Sequence, residues 1–110
     1  MKLPGGEAAI VDAAKITDYL LNPFHPVGGA KAKLFKALLG IDRANCEILK
    51  DALLAAARDG EAILGKQSPH GAKFELRFQM TGPRGTYTIL SVWIIETGHL
   101  EPRLVTAYIE

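Results

Sequence analysis

A histidine and a lysine occur close together in a segment whose other residues constrain the path of the backbone. His25 lies between Pro23 and Pro26, so its backbone is held extended and its side chain is expected to be fixed. Gly28-Gly29 then opens a predicted helix that carries Lys31 in its first turn. A histidine transfers protons near neutral pH, and a lysine beside a helix N-terminus can hold an anion such as phosphate. The segment therefore indicates a site for an anionic substrate.

Both residues also have a purely structural interpretation. Lys31 shares a helical stripe with three apolar residues, Leu34, Phe35 and Leu38. It could therefore be a lysine whose stem covers apolar surface while its ammonium group reaches water. Lys33 and Lys36 fall on the polar side of the same helix, where lysines are expected. His25 could be a loop histidine that is hydrogen-bonded to the backbone.

About three helices are predicted in the N-terminal half. They cover residues 13–21, 29–39 and 43–58, with Asp12 and Asp42 as N-caps of the first and third. From residue 72 the apolar period changes from 3.6 to 2, which predicts strands. The sequence thus predicts an α+β fold, with about three N-terminal helices packed on one face of a C-terminal antiparallel β-meander.

The turns predict how the strands pair. A three-residue loop within Gly82–Gly85 and a second turn at Gly98-His99 fix the register. The predicted pairs are Gly82 with Thr86, Arg77 with Ser91, Trp93 with Leu104, and Ser91 with Thr106. Because strand side chains alternate, this register predicts an apolar core face that includes Leu90, Val92 and Ile94.

The opposite, open face of the predicted sheet has the composition of a binding site. It carries a cation, hydroxyl groups and aromatic rings, namely Arg77, Ser91, Trp93, Thr106 and Tyr108. The same residues also fit an ordinary solvated sheet face that happens to include a tryptophan. The residue types alone do not separate the two interpretations.

Length and composition limit the function classes. The 110 residues predict a single domain spanning 1–110, and 13 Lys+Arg against 12 Asp+Glu give a net charge of +1. Nucleic-acid binding would therefore need a local basic patch. The single cysteine excludes an intrachain disulfide, and the scattered histidines have no metal-ligand spacing. No cofactor and no metal are predicted. We expect a soluble cytoplasmic domain without a membrane partner, because no apolar signal core or membrane-length run occurs.

Residues 22–35, NPFHPVGGAKAKLF, resemble the C-terminal toxin modules of bacterial contact-dependent inhibition and polymorphic toxin proteins. They are also similar to a standalone bacterial domain family of unknown function. The segments MTGPRG (80–85) and EPRLVTA (101–107) extend the resemblance. Such modules look like Barnase–EndoU–colicin–RelE ribonucleases. The resemblance implies helices on a curved sheet, RNA on the open face, and 2′-hydroxyl attack that leaves a 2′,3′-cyclic phosphate. By motif position, the resemblance implies functional roles for five residues: His25, Lys31, Trp93, Arg103 and Thr106.

The residues and the resemblance together predict a small metal-independent ribonuclease toxin. The predicted catalytic residues are His25, Lys31, Arg77 and Thr106. The predicted substrate-binding residues are Ser91, Trp93, Arg103 and Tyr108. The predicted partners are RNA, with tRNA as a candidate, and a cognate antitoxin or immunity protein. Two alternatives remain: a non-catalytic protein-binding or immunity-type module that uses the open sheet face, and a structural domain without a site.

Overall fold

The C-terminal half of the chain forms a four-stranded antiparallel sheet. In the computed structural model, which describes residues 1–110, the strands are β1 (Ala62–Ser68), β2 (Gly71–Gly82), β3 (Gly85–Glu96) and β4 (Arg103–Ile109). Their order in the sheet is β1-β2-β3-β4, so each strand pairs with its neighbour in sequence. The two long strands lie in the centre, and β1 and β4 form the edges.

Two α-helices and four 3-10 or π-helical turns precede the sheet. Helix α1 (Gly29–Leu34) continues into a π-helical turn at Phe35–Leu39, and helix α2 covers Glu47–Asp59. Gly40 follows the π-helical turn with a φ of 69°, the left-handed conformation that glycine adopts readily. The shorter turns are Gly6–Ala8, Lys15–Leu20 and Arg43–Asn45.

The predicted caps have different outcomes. Asp42 forms a capping box: its carboxylate accepts the N–H of Ala44 at 2.9 Å, and its own N–H donates to the Asn45 side chain at 2.8 Å. Asp12 does not cap the first helical segment. Its carboxylate instead accepts a hydrogen bond from Arg103 at 2.8 Å. The prediction is confirmed at Asp42 and wrong at Asp12.

The predicted arrangement, about three N-terminal helices packed on one face of the meander, is wrong as stated. The fold is α+β with a C-terminal sheet, but the helical segments are short and irregular: Lys15–Leu20 is a π-helical turn, and α1 has six residues. Residues 62–68 form β1, so the sheet begins before residue 72, where the change of period predicted the strands. The Lys15–Leu20 segment also reaches edge strand β4 through a bond from Tyr19 to Thr106.

The register of the β2–β3 hairpin differs from the prediction by one residue. Gly82 pairs with Gly85, which leaves a two-residue loop, and Arg77 lies opposite Leu90. The predicted pairing of Arg77 with Ser91 is therefore wrong. Gly85 is the first paired residue of β3. Its φ of 131° is a backbone conformation that residues other than glycine rarely adopt. A one-residue shift moves every β3 side chain to the other face of the sheet.

A bulge in the β3–β4 pair offsets the one-residue register shift, so that part of β4 keeps its predicted face. Trp93 pairs with Leu104 as predicted, but the register changes between Val92 and Trp93. Ser91 consequently pairs with Ala107, and Thr106 lies opposite Val92. Because a bulge adds one residue to one strand, Thr106 stays on the open face although Ser91 does not.

Ser91 and Trp93 belong to the hydrophobic core. Both are 0% exposed, and they form a buried relay in which the Trp93 indole N–H donates to Ser91 Oγ at 2.9 Å. The Ser91 hydroxyl donates in turn to the Leu76 carbonyl at 2.7 Å. These two bonds supply hydrogen-bond partners to Ser91, the only polar residue among the buried ones. The predicted place of Ser91 and Trp93 on an open face is therefore wrong.

Candidate functional site

Five side chains meet where the N-terminal segments cross edge strand β4. This group, called the Tyr19 cluster below, consists of Tyr19, His25, Lys31, Thr106 and Tyr108. Lys31 Nζ donates to Tyr19 Oη at 2.8 Å, and Tyr19 Oη lies 3.2 Å from Thr106 Oγ1. The same ammonium lies 5.2 Å from the centre of the Tyr19 ring and 5.7 Å from that of Tyr108. Two aromatic rings and a phenol oxygen thus hold the cation in place.

The two glycines before α1 allow this helix to approach Tyr19. A Cβ at Gly28 would lie 2.5 Å from the Tyr19 carbonyl oxygen and 2.8 Å from ring atom Cδ1. A Cβ at Gly29 would lie 2.7 Å from the Pro23 carbonyl oxygen. Only glycine fits at such separations. Gly28-Gly29 therefore serves close packing, which in turn places Lys31 on the Tyr19 hydroxyl.

His25 caps the turn that leads into α1. Its Nδ1 accepts the backbone N–H groups of Val27 and Gly28, both at 3.0 Å. Two donors pointing at Nδ1 place the proton of the neutral ring on Nε2, which has no hydrogen-bond partner within the protein. The ring meets that of Tyr19 edge to face, with centroids 5.0 Å apart. The N–H groups of Val27 and Gly28, at the entrance to α1, are therefore bonded to His25, and the Gly29 N–H donates to the His25 carbonyl at 2.9 Å.

The surroundings of Tyr19 favour its ionised form. Burial acts to raise the pKa of Tyr19, but this effect is outweighed by the hydrogen bonds with Lys31 and Thr106 and by the positive charges of Lys31 and Lys15. The net result is a pKa below the ordinary tyrosine value. Lys15 Nζ lies 5.5 Å from the centre of the ring. Tyr19 is thus the acidic hydroxyl of the cluster.

Two predicted site residues are engaged elsewhere. Arg77 makes a bidentate pair with Glu110, at 2.8 and 2.9 Å, and this bond is the main cause of its raised pKa. Arg103 Nη1 donates to Asp12 at 2.8 Å, and that bond is the main cause of its raised pKa. Both arginines are held in ion pairs, and neither contacts the Tyr19 cluster through a hydrogen bond.

The structure thus brings together four of the eight predicted site residues, His25, Lys31, Thr106 and Tyr108. It buries Ser91 and Trp93. The central residue, Tyr19, was missed because its helical spacing from Ile16 and Leu20 placed it on an apolar face. The available signal was the adjacent glycine pair, which indicates close backbone approach to a large neighbour as well as a turn.

No group of three or more His, Cys, Asp or Glu side chains is arranged to hold a metal ion. None of the helices has the length and apolar character needed to cross a bilayer.

Fold and cluster together define a small α+β domain with a polar site on its edge strand. The chain belongs to the DUF6883 family, a domain of unknown function, whose model matches residues 2–110. A chain of the contact-dependent growth inhibition toxin–immunity protein complex from Klebsiella pneumoniae 342 has a similar fold, with a TM-score of 0.71. That similarity covers 93% of this chain and 100% of the other, at 16% sequence identity. No curated protein matches the sequence. The predicted resemblance is thus confirmed in part: the fold is similar to that of a chain from a contact-dependent growth inhibition toxin–immunity protein complex.

Proposed function

We propose that this domain is a toxin-type endoribonuclease that cleaves RNA through its own 2′-hydroxyl, with the Tyr19 cluster as the active site. The observation that carries the proposal is the 2.8 Å contact between Lys31 Nζ and Tyr19 Oη, with Thr106 at 3.2 Å. A cation, an acidified phenol and a hydroxyl on a half-buried surface suit the binding of a phosphodiester and the removal of a proton. The similarity of the fold to a chain of a toxin–immunity complex supports the toxin context.

The chemistry follows from the atoms that are present. In the ionised form that a lowered pKa favours, the Tyr19 oxygen takes the proton from the ribose 2′-hydroxyl, and the 2′ oxygen forms a bond to phosphorus. The bond from phosphorus to the 5′ oxygen breaks, and that oxygen takes a proton from solvent. Lys31 balances the negative charge that develops on the phosphoryl oxygens. The products are a 2′,3′-cyclic phosphate and a 5′-hydroxyl.

The other members of the cluster position the reacting groups. Thr106 holds the Tyr19 oxygen, and Tyr108 supplies a half-exposed aromatic ring for a base. His25 acts as a donor, because its Nδ1 is occupied by two backbone N–H groups and its proton lies on Nε2. We therefore assign His25 a hydrogen bond to a phosphoryl oxygen in place of the proton transfer that the sequence suggested.

A second candidate function is protein binding without catalysis. It is favoured by two exposed apolar side chains on either side of His25, Phe24 at 89% and Val27 at 68%. A cognate immunity protein that covered them would also cover the Tyr19 cluster. Cleavage by the isolated domain separates this candidate from the first.

The test is cleavage of bulk tRNA by the purified domain, compared with Lys31→Met and the control Lys66→Met. Loss of one transition-state contact costs about 3–4 kcal/mol, so Lys31→Met should be about a hundred- to a thousand-fold slower. Lys66 is exposed on β1, outside the Tyr19 cluster, so its variant should keep wild-type activity. Equal rates for both folded variants, or no cleavage by the wild type, would contradict the proposal.

A further inference from the structure

A second polar surface lies on the side of α1 away from the Tyr19 cluster. It is a cleft of about 410 Å³ with an apolar floor that includes Leu21 and Ala32. Lys33 follows Lys31 by two residues, so it lies about 200° further round the helix. The volume falls in the range of about 300–1,000 Å³ that is usual for small-molecule sites.

The cations of this cleft have no ion-pair partners. Lys33, Lys36 and Arg43 line it, and none of them forms a salt bridge, whereas Arg58, Arg77 and Arg103 all do. Arg43 is oriented by a bond from its Nε to the Thr17 carbonyl at 2.8 Å, which leaves its two terminal amino groups free.

One carboxylate only partly offsets these charges. The Asp42 carboxylate lines the cleft, but it is used to cap Ala44. The result is a local excess of positive charge in a chain whose net charge is +1. Such an excess is the electrostatic requirement for binding a phosphate backbone.

An aromatic ring stands at the edge of the same cleft. Phe24 is 89% exposed, and its loop is fixed by the bond from its N–H to Asn22 Oδ1 at 3.0 Å. His25, the next residue, belongs to the Tyr19 cluster. One short loop thus presents Phe24 to the cleft and His25 to the proposed active site. A strand of nucleotides crossing this loop would contact both.

We infer that the cleft binds a nucleotide of single-stranded RNA next to the one that is cleaved, with its base on Phe24 and its phosphates among the three cations. This inference rests on the proposed function, because it takes the neighbouring Tyr19 cluster to be the site of cleavage. Aromatic rings combined with unpaired cations are the usual surface for single strands, because every base can stack and every nucleotide carries a phosphate. The apolar floor and the Phe24 ring also provide an apolar contact surface for the base, which a patch of charges alone lacks.

The test measures binding without cleavage. A short fluorescein-labelled 2′-O-methyl RNA of mixed sequence cannot undergo 2′-hydroxyl attack, so its fluorescence anisotropy reports affinity alone. Phe24→Ala should weaken binding by about 5- to 150-fold, the fold-change that corresponds to loss of one stacked base. Leu100→Ala removes another exposed apolar side chain and should leave the affinity unchanged.

The charge contribution is tested by salt titration. The triple variant K33A/K36A/R43A should reduce the slope of log affinity against log salt by about 2, since each phosphate contact on a single strand contributes about 0.7. Lys66→Ala, which removes an exposed lysine on β1, should reduce neither slope nor affinity. Circular dichroism establishes that each variant is folded before its affinity is compared.

The outcomes separate this inference from the proposed function. Wild-type affinity in Phe24→Ala and the triple variant would overturn the cleft assignment, even if Lys31→Met stops cleavage. Loss of affinity in both variants supports the cleft assignment, even if the wild type cleaves no RNA. If Phe24→Ala leaves RNA affinity intact but abolishes binding to an immunity protein, the cleft serves a protein partner and the inference is wrong.

Discussion

Replacing Tyr19 with phenylalanine removes one oxygen atom and leaves the ring in place. Two hydrogen bonds are lost, one from the Lys31 ammonium at 2.8 Å and one with Thr106 at 3.2 Å. A bond to a charged group contributes about 1.5–3 kcal/mol and a neutral one about 0.5–1.5 kcal/mol. Water reaches this half-buried site, so we take the lower end and expect a loss of about 1–2 kcal/mol near pH 7. For a domain of this size that corresponds to a melting temperature lower by about 4–8 °C.

The difference in folding stability between the wild type and Tyr19→Phe should increase as the pH rises. The folded protein lowers the pKa of Tyr19, whereas in the unfolded chain the pKa returns to about 10. Between these two values the unfolded chain binds more protons, so the stability of the wild type rises with pH relative to Tyr19→Phe. The extra stability is fully present above the unfolded pKa of about 10 and is lost as the pH falls through the folded pKa.

Denaturant titrations at several pH values measure this difference. Tyr87→Phe is a matched control, because the Tyr87 hydroxyl makes only a 3.3 Å bond to the Arg84 carbonyl at the surface. We expect it to change stability little, because it removes only this one weak bond. If Tyr19→Phe and Tyr87→Phe behave alike at every pH, then Lys31 does not hold the Tyr19 oxygen as described.

Two further predictions concern the packing that supports the site. Ser91→Ala should cost about 1–3 kcal/mol of folding free energy, because it leaves the buried Trp93 indole N–H without an acceptor; an unchanged denaturation midpoint would show that this N–H has another partner. Gly28→Ala should lower stability by about 1–3 kcal/mol in thermal melts, because its Cβ would overlap Tyr19. A variant that melts with the wild type would show that α1 does not approach Tyr19 so closely.

Local signals in the sequence predicted several elements well. Asp42 caps its turn as predicted, and the helical segment predicted over 29–39 does end at Leu39, before a left-handed Gly40. These features depend on a few neighbouring residues, so the sequence contains the necessary information. Lys33 and Lys36 are exposed for a similarly local reason, because they lie on the polar side of one short helix.

The sheet register needed information that the sequence pattern does not contain. Leu90 and Val92 alternate with Ser91 and Trp93, so either set could face the core. Separation of polar from apolar residues favoured burying Leu90. The structure instead places the larger indole on the core face and satisfies its N–H through the Ser91 hydroxyl, while Leu90 is buried on the opposite face, across from Arg77. A buried hydrogen-bonded pair of this kind depends on contacts across the sheet, which alternation along one strand cannot show.

The sequence predicted only part of the candidate site, because the rest depends on contacts between distant segments. His25 and Lys31 were identified from a short segment whose prolines and glycines restrict the backbone. Tyr19 joins them only through tertiary packing, and Thr106 only through the bulge beside Trp93. Contacts between residues this distant in sequence depend on the whole fold.

The end groups of the RNA fragments provide the most direct test of the proposed function. The wild-type domain is incubated with bulk tRNA in excess EDTA, and the fragment ends are identified by mass spectrometry. Attack by the 2′-hydroxyl at the Tyr19 cluster predicts 2′,3′-cyclic phosphate and 5′-hydroxyl ends, formed by the wild type and not by Lys31→Met. Fragments with 5′-phosphate ends, cleavage that requires an added divalent ion, or the same cyclic-phosphate ends from Lys31→Met would contradict it.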